Sequence, residues 1–324
     1  MSDLAKPVAG ARAFLSEDML QILYRLLAAL LICAVLAVST DSFLYLANIL
    51  NVLRQASLLF FIASGLTLVV LTAGLDLSVG SNVALSACVA GTVIHKTGQP
   101  ALGVLAALAT GAGVGLLNGV MVTALRIPSF IATYGMLWVL NGLTYWYMAG
   151  EVIHGFPPAF RQIGSGYLLG LPTPVYLLVL FLAIGVIFAQ RTIWGQEIYA
   201  IGANPVAARL SGIPMARRLL LVYAISGTMA GLASIIFLAR LNSAEADIGE
   251  NLTLPAIAAV LIGGTSLFGG VGSVFGTFVG ALILTLVVNG MNLLSVNTSW
   301  QPLVTGVIVI LAVWLDMKAR RRRL

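Results

Sequence analysis

Charged side chains are scarce in this sequence: Asp, Glu, Lys and Arg make up 9% of its 324 residues, against about 25% in an ordinary soluble domain. A soluble chain of this length would need a charged skin around its core, and too few such residues are present to build one. With 60% hydrophobic residues, lipid is the expected solvent for most of the surface. Cysteine is almost absent. Cys33 and Cys88 each lie within an apolar stretch, which argues against a disulfide framework or a cysteine metal site and reads as small-residue packing. The lysines Lys6, Lys96 and Lys318 never follow a glycine, so no phosphate-binding loop exists and the chain is not expected to hydrolyse ATP alone. His95 and His154 have no carboxylate or cysteine at ligand spacing, and no Ser/His/Asp pattern of local character appears. Catalytic, cofactor-binding and metal-ligating residues are therefore none by expectation.

What is present is a succession of apolar stretches, each near the roughly 20 residues that cross a bilayer core. Hydropathy predicts an all-α polytopic membrane protein of about ten spans: 22–40, 54–73, 79–95, 101–124, 129–149, 172–190, 219–239, 252–268, 271–292 and 300–316. The third and eighth are the weakest, and Gly-rich flanks could make one a broken or re-entrant helix, which leaves eight or nine full spans open. With both termini cytoplasmic, thirteen of the seventeen basic residues fall inside and only Arg54, Lys96, Arg161 and Arg240 outside, in agreement with the positive-inside rule. The net charge of +6 owes much to Lys318 and Arg320 to Arg323, a cytoplasmic membrane flank rather than a nucleic-acid surface.

The expected organisation is a cytoplasmic segment over 1–21, one transmembrane domain over 22–316 and a basic tail over 317–324. The first segment holds Asp3, Glu17 and Asp18 and lacks a cleavable signal pattern, so the first span is expected to direct insertion itself. Glycines at four-residue spacing (Gly111, Gly115 and Gly119; Gly227 and Gly231; Gly272, Gly276 and Gly280) clear one helix face and predict close helix packing, within the bundle in preference to a dimer contact. Leu77 to Ser81 and Gly269 to Ser273 resemble each other, each leading into a Gly/Ala-rich span, a weak internal repeat of the kind transporters contain.

Asp76 is the acid nearest the membrane interior. A carboxylate there is costly unless it meets a cavity or hydrogen-bond donors, which makes it a functional candidate; the competing reading is that Asp76 with Ser78 caps the next helix. The longest polar stretch, 191–218, reads as a cytoplasmic connector in which Asn204 caps a short helix, Pro205 occupies its first position and Gly212 ends it. Ala207, Ala208 and Leu210 on that helix could fill a groove on a soluble partner, or the segment could be a surface connector. A wet solute route is best lined by hydroxyls and amides, for which Ser57, Ser64, Thr67, Asn82, Asn118 and Asn141 are candidates; interhelical hydrogen bonding is the alternative for each.

The stretch from Gly195 to Ile213 resembles the cytoplasmic coupling segment of the permease subunits of bacterial ABC sugar importers of the ribose type. The resemblance extends to Gly74 to Gly80, Ile127 to Thr133, Gly249 to Val260 and Gly263 to Gly270, and covers nearly all of Ala47 to Leu315. It implies a multi-pass permease of the bacterial inner membrane, working with a second permease chain, identical or related, a separate ATP-binding subunit that holds ATP and magnesium, and a periplasmic sugar-binding protein. In that picture Asn204, Pro205, Ala207, Ala208, Arg209 and Leu210 meet the ATPase, Arg209 through a polar contact. The substrate is expected to be a monosaccharide or related small polar solute. The outer acids Asp41, Glu151, Glu245, Asp247 and Glu250 could meet a basic rim on the binding protein, or could simply reflect retention of basic residues inside. An ion-coupled secondary transporter is the main alternative, disfavoured because few acids lie in mid-span, and a membrane enzyme is a third.

Overall fold

The computed structural model describes residues 10–321. The first run of helices is α1 (Gly10–Ser39), α2 (Leu46–Leu71), α3 (Val79–Thr97), α4 (Pro100–Thr123) and α5 (Ser129–Met148). A connection follows with β1 (Ile153–His154), α6 (Pro158–Ser165), β2 (Tyr167–Leu168) and β3 (Leu171–Pro172). Then come α7 (Thr173–Arg191), α8 (Ile193–Ala203), α9 (Pro205–Leu210) and α10 (Met215–Leu241), and finally β4 (Ser243–Ala244), α11 (Thr253–Ile262), α12 (Val274–Leu293) and α13 (Trp300–Arg321). The strands form only two short antiparallel ladders, β1 with β4 and β2 with β3. Among the described residues the remaining regular structure is helical.

Six helices among the described residues are long and apolar enough to cross a membrane: Leu46–Leu71, Pro100–Thr123, Thr173–Arg191, Met215–Leu241, Val274–Leu293 and Trp300–Lys318. The expected count of about ten spans is not reached by this measure, and the eighth, one of the two singled out as weakest, departs most clearly. The stretch expected to cross at 252–268 forms only the ten residues of α11, about 15 Å of helix and half a bilayer core. Gly263 and Gly264 end it, and the chain runs irregularly to Ser273. At the other extreme α1 begins at Gly10, inside the segment expected to precede the membrane, and α13 continues to Arg321; Lys6, Arg322 and Arg323 lie outside the described residues.

The bundle is built around α2, whose residues from Ala56 to Leu71 are buried almost without interruption, and around α10 and α12. Phe60, Phe61, Leu66, Tyr223, Ile236 and Val260 form the centre of the largest apolar cluster. On α13 the arrangement is reversed, with Leu303, Val307, Ile310, Leu311 and Trp314 exposed. Burial of one such side chain contributes about 1.5–3 kcal/mol, so an outward row of them is stable only where hydrocarbon replaces water.

All three glycine lines pack inside this one chain. A Cβ at Gly111 or Gly115 would collide with the Gly227 or Tyr223 carbonyl, and one at Gly231 would meet the Ala107 carbonyl, so α4 and α10 cross backbone to backbone. Gly276 and Gly280 do the same for α12 against the carbonyls of Gly263, at the end of α11, and Ala259 within it. The two matching pentapeptides each deliver the chain into a helix, α3 at Val79 and α12 at Val274, the latter capped by Ser273, whose hydroxyl accepts from Gly276 N–H.

Candidate translocation and coupling sites

Helix α2 stops at Leu71, Ala73 takes a left-handed conformation (φ 59°), and the chain returns into the bundle as an irregular segment that ends in a turn at Leu77 and Ser78 before α3 begins. Backbone groups on such a segment have no helical partners, and no water is available to replace them at membrane depth. Side chains from three other helices supply them. Leu75 N–H donates to Ser129 Oγ (3.2 Å) and Leu77 N–H to Thr133 Oγ1 (3.1 Å), both on α5. Gly80 N–H donates to Thr253 Oγ1 of α11 at 3.2 Å. Tyr223 of α10 directs its hydroxyl at the Leu75 carbonyl, 3.4 Å away.

Asp76 lies at the centre of this break and is 2% exposed. Its Oδ1 accepts from Ser78 N–H (3.0 Å) and the Ser78 hydroxyl (2.7 Å), and its Oδ2 from the Ser226 hydroxyl of α10 (3.1 Å). Asn118 of α4 donates to Ser78 Oγ at 2.8 Å and reaches Asp76 Oδ1 at 3.5 Å. Asp76 satisfies the Ser78 N–H just ahead of α3 and ties three helices together, although it makes no bond to the first-turn N–H groups of α3 itself. Hydrogen bonding of a carboxylate on this scale offsets the cost of taking it out of water.

Of the other route candidates, Asn82 belongs to the same neighbourhood, donating to the Gly111 carbonyl of α4 (3.2 Å) and accepting from Ser86 (3.1 Å). Ser57, Ser64 and Thr67 are buried and return their hydroxyls to carbonyls of their own helix, at Leu53, Phe61 and Ala63. Thr67 also meets Thr277 of α12 at 2.6 Å. Asn141 is half-buried on α5, apart from the network. Sequence reasoning missed Ser129, Thr133, Tyr223, Ser226 and Thr253. The i, i+4 pair Ser129 and Thr133, facing one side of α5, was the signal that could have found two of them.

At the coupling segment the sequence reading of α9 holds in its local chemistry. Asn204 Oδ1 accepts from the N–H groups of Val206 (3.1 Å) and Ala207 (3.0 Å), Pro205 opens the helix, and Gly212 (φ 80°) follows its end. Exposure differs from expectation at one residue. Ala208 is 4% exposed and faces the chain itself, whereas Val206 and Leu210 are 68% and 83% exposed. Asn204, Pro205, Ala207 and Arg209 are also exposed. Helix α8 is fixed to the bundle by an ion pair between Glu197 and Arg218 of α10, with the Arg218 guanidinium over the Trp194 ring. Tyr199 of α8 donates to the Gly272 carbonyl at 2.8 Å. At the end of α8, Gly202 sits so close to the Leu71 carbonyl and to Gly270 N that no Cβ fits. The segment that carries α9 is therefore packed directly on the α2 terminus, a few residues before Asp76.

A helical bundle with lipid-facing apolar rows, a half-length helix and a buried polar break between helices defines a multi-pass membrane permease. The comparisons agree. The family described as "Branched-chain amino acid transport system / permease component" matches residues 48–313, and the chain belongs to that family. The ribose import permease RbsC of Escherichia coli (strain K12) is 41% identical over 96% of this chain and 98% of its own. RbsC of Bacillus subtilis (strain 168) is 39% identical, covering 93% and 94%. The xylose transport system permease XylH of Escherichia coli (strain K12) is 34% identical, covering 98% and 97%. No solved structure matches.

Proposed function

We propose that this chain is the transmembrane permease of an ATP-driven importer for a small polyhydroxy solute of the pentose class, resident in the bacterial inner membrane. The observation that carries the reading is the exposed apolar pair Val206 and Leu210 on a capped helix that is packed, through α8, on the break containing Asp76. An external ATPase that grips α9 would thereby pull on the break between α2 and α3. Relatives whose names specify ribose and xylose import support the solute class.

In this reading the partners are an ATP-binding subunit holding ATP and magnesium, a periplasmic sugar-binding protein, and a second permease chain. Asn204, Pro205, Ala207, Arg209, Val206 and Leu210 form the ATPase contact, and Ala208 supports it from within. The route for solute runs beside Asp76, Asn82 and Asn118, with Asn141 further along. The exposed acids Asp41, Glu151, Asp247 and Glu250 offer a face for the binding protein.

The test is uptake into proteoliposomes. With the partner ATPase and binding protein present, radiolabelled ribose or xylose should accumulate only when ATP is supplied on the α9 side. Accumulation by the lone chain, driven by a proton or sodium gradient, would instead establish a secondary transporter.

A further inference from the structure

Helices α2 and α10 run antiparallel: Gly65 packs against Ser226, where a Cβ would come within 2.8 Å of the Ser226 Cα. Arg54 lies eleven residues before Gly65 and Arg240 fourteen after Ser226, about 16 Å and 21 Å from that crossing in the same direction. Both therefore lie toward the end of the bundle opposite α8 and α9, near enough for Arg240 to feel the charge of Arg54. Among the described residues neither arginine is in an ion pair. The ion pair among the described residues is Glu197 with Arg218, far from this end.

Arg54 is also under-used as a donor. Its Nε and Nη2 are buried and have no hydrogen-bond partner. These two atoms form the side-on edge of the guanidinium, whose parallel N–H groups match the oxygens of a phosphate or carboxylate. Above them lies Tyr167 of the β2–β3 ladder, with its ring centroid 4.9 Å from the Arg54 Cζ. A ring face is a weaker partner for a buried guanidinium than an anion. Tyr167 itself is 55% exposed, so this ring lies at the surface beside the buried fork.

We propose that Arg54 and Arg240 form a binding site for one phosphate-type oxyanion, with Tyr167 as its cover. The group is either free phosphate or the phosphate of an anionic lipid headgroup. Two guanidinium groups held together by packed helices are pre-organised for such a ligand, because their mutual repulsion is relieved only when the anion arrives.

The experiment uses the full chain in phosphatidylcholine nanodiscs, titrated with sodium phosphate against sodium chloride at equal ionic strength and followed by calorimetry and thermal unfolding. A parallel series replaces part of the phosphatidylcholine with phosphatidylglycerol. Saturable phosphate binding is expected for the wild type, weakened about tenfold or more in Arg54→Lys and in Arg240→Gln, from the loss of a charge-assisted pair. Arg54→Lys keeps the charge and removes the fork, and its unfolding midpoint without ligand controls for folding. A response to phosphatidylglycerol alone, lost in the same variants, assigns the phosphate to a headgroup. No response to either ligand, or equal responses in wild type and variants, overturns the site.

Discussion

The amide of Gly270 donates to the Leu71 carbonyl at 2.9 Å, and this bond joins the irregular segment after α11 to the last residue of α2. Gly202 of α8 lies against both partners. Three segments far apart in sequence therefore share one contact, which places α8 against both the α2 terminus before the Asp76 break and the irregular segment after α11.

The contact is sensitive to a single carbon. In Gly202→Ala the new Cβ would collide with the Leu71 carbonyl, and relief requires backbone movement. The expected cost is about 1–3 kcal/mol, typical of overpacking. Thermal unfolding of the purified protein should register it, and solute-stimulated ATP hydrolysis in the reconstituted system should fall. A variant with unchanged midpoint and coupling would show that the contact gives way freely.

Val206 and Leu210 separate from Ala208 by mutation. Leu210→Asp changes an exposed side chain, so the protein should fold with its midpoint nearly unchanged and lose co-purification with the ATPase. Ala208→Asp places a carboxylate in a buried position and should reduce yield and stability, by several kcal/mol if the charge finds no partner. Loss of ATPase binding by a well-folded Ala208→Asp, with Leu210→Asp normal, would reverse the assignment of faces.

Removing the carboxylate at Asp76 strands the N–H and hydroxyl of Ser78 and the hydroxyl of Ser226, while Asn118 keeps its bond to Ser78. With about 1–3 kcal/mol for each buried donor left unpaired, Asp76→Ala should be among the most damaging single changes in the chain. Asp76→Asn retains an acceptor for Ser78 and should be milder. Expression level and uptake measure the two together, and normal uptake at normal expression in Asp76→Ala would remove this residue from the site.

Cysteines at Ser57, Ser64 and Thr67 should resist a small polar thiol reagent in the isolated chain, because all three positions are buried and their hydroxyls are turned onto their own helix. Rapid labelling at any of them would reveal a water path along α2.

Much of this architecture is legible locally. Apolar length marked the helices, Asn204-Pro205 and Gly212 marked the ends of α9, and glycine spacing marked the close crossings, because each depends on neighbours within a turn or two of helix. Tertiary structure alone decided what those features meet. Hydropathy could not separate the ten residues of α11 from a full span, since the apolar run continues past Ile262 and only Gly263, pressed on Gly276, shows where helix gives way. Asp76 could be singled out as costly, but apart from Ser78 its hydrogen-bond partners and those of the backbone around its break come from α4, α5, α10 and α11. The Arg54 and Arg240 pair and the inward turn of Ala208 have the same origin. Composition selects oil over water one segment at a time, whereas the pairing of buried polar groups is settled only when distant segments are packed together.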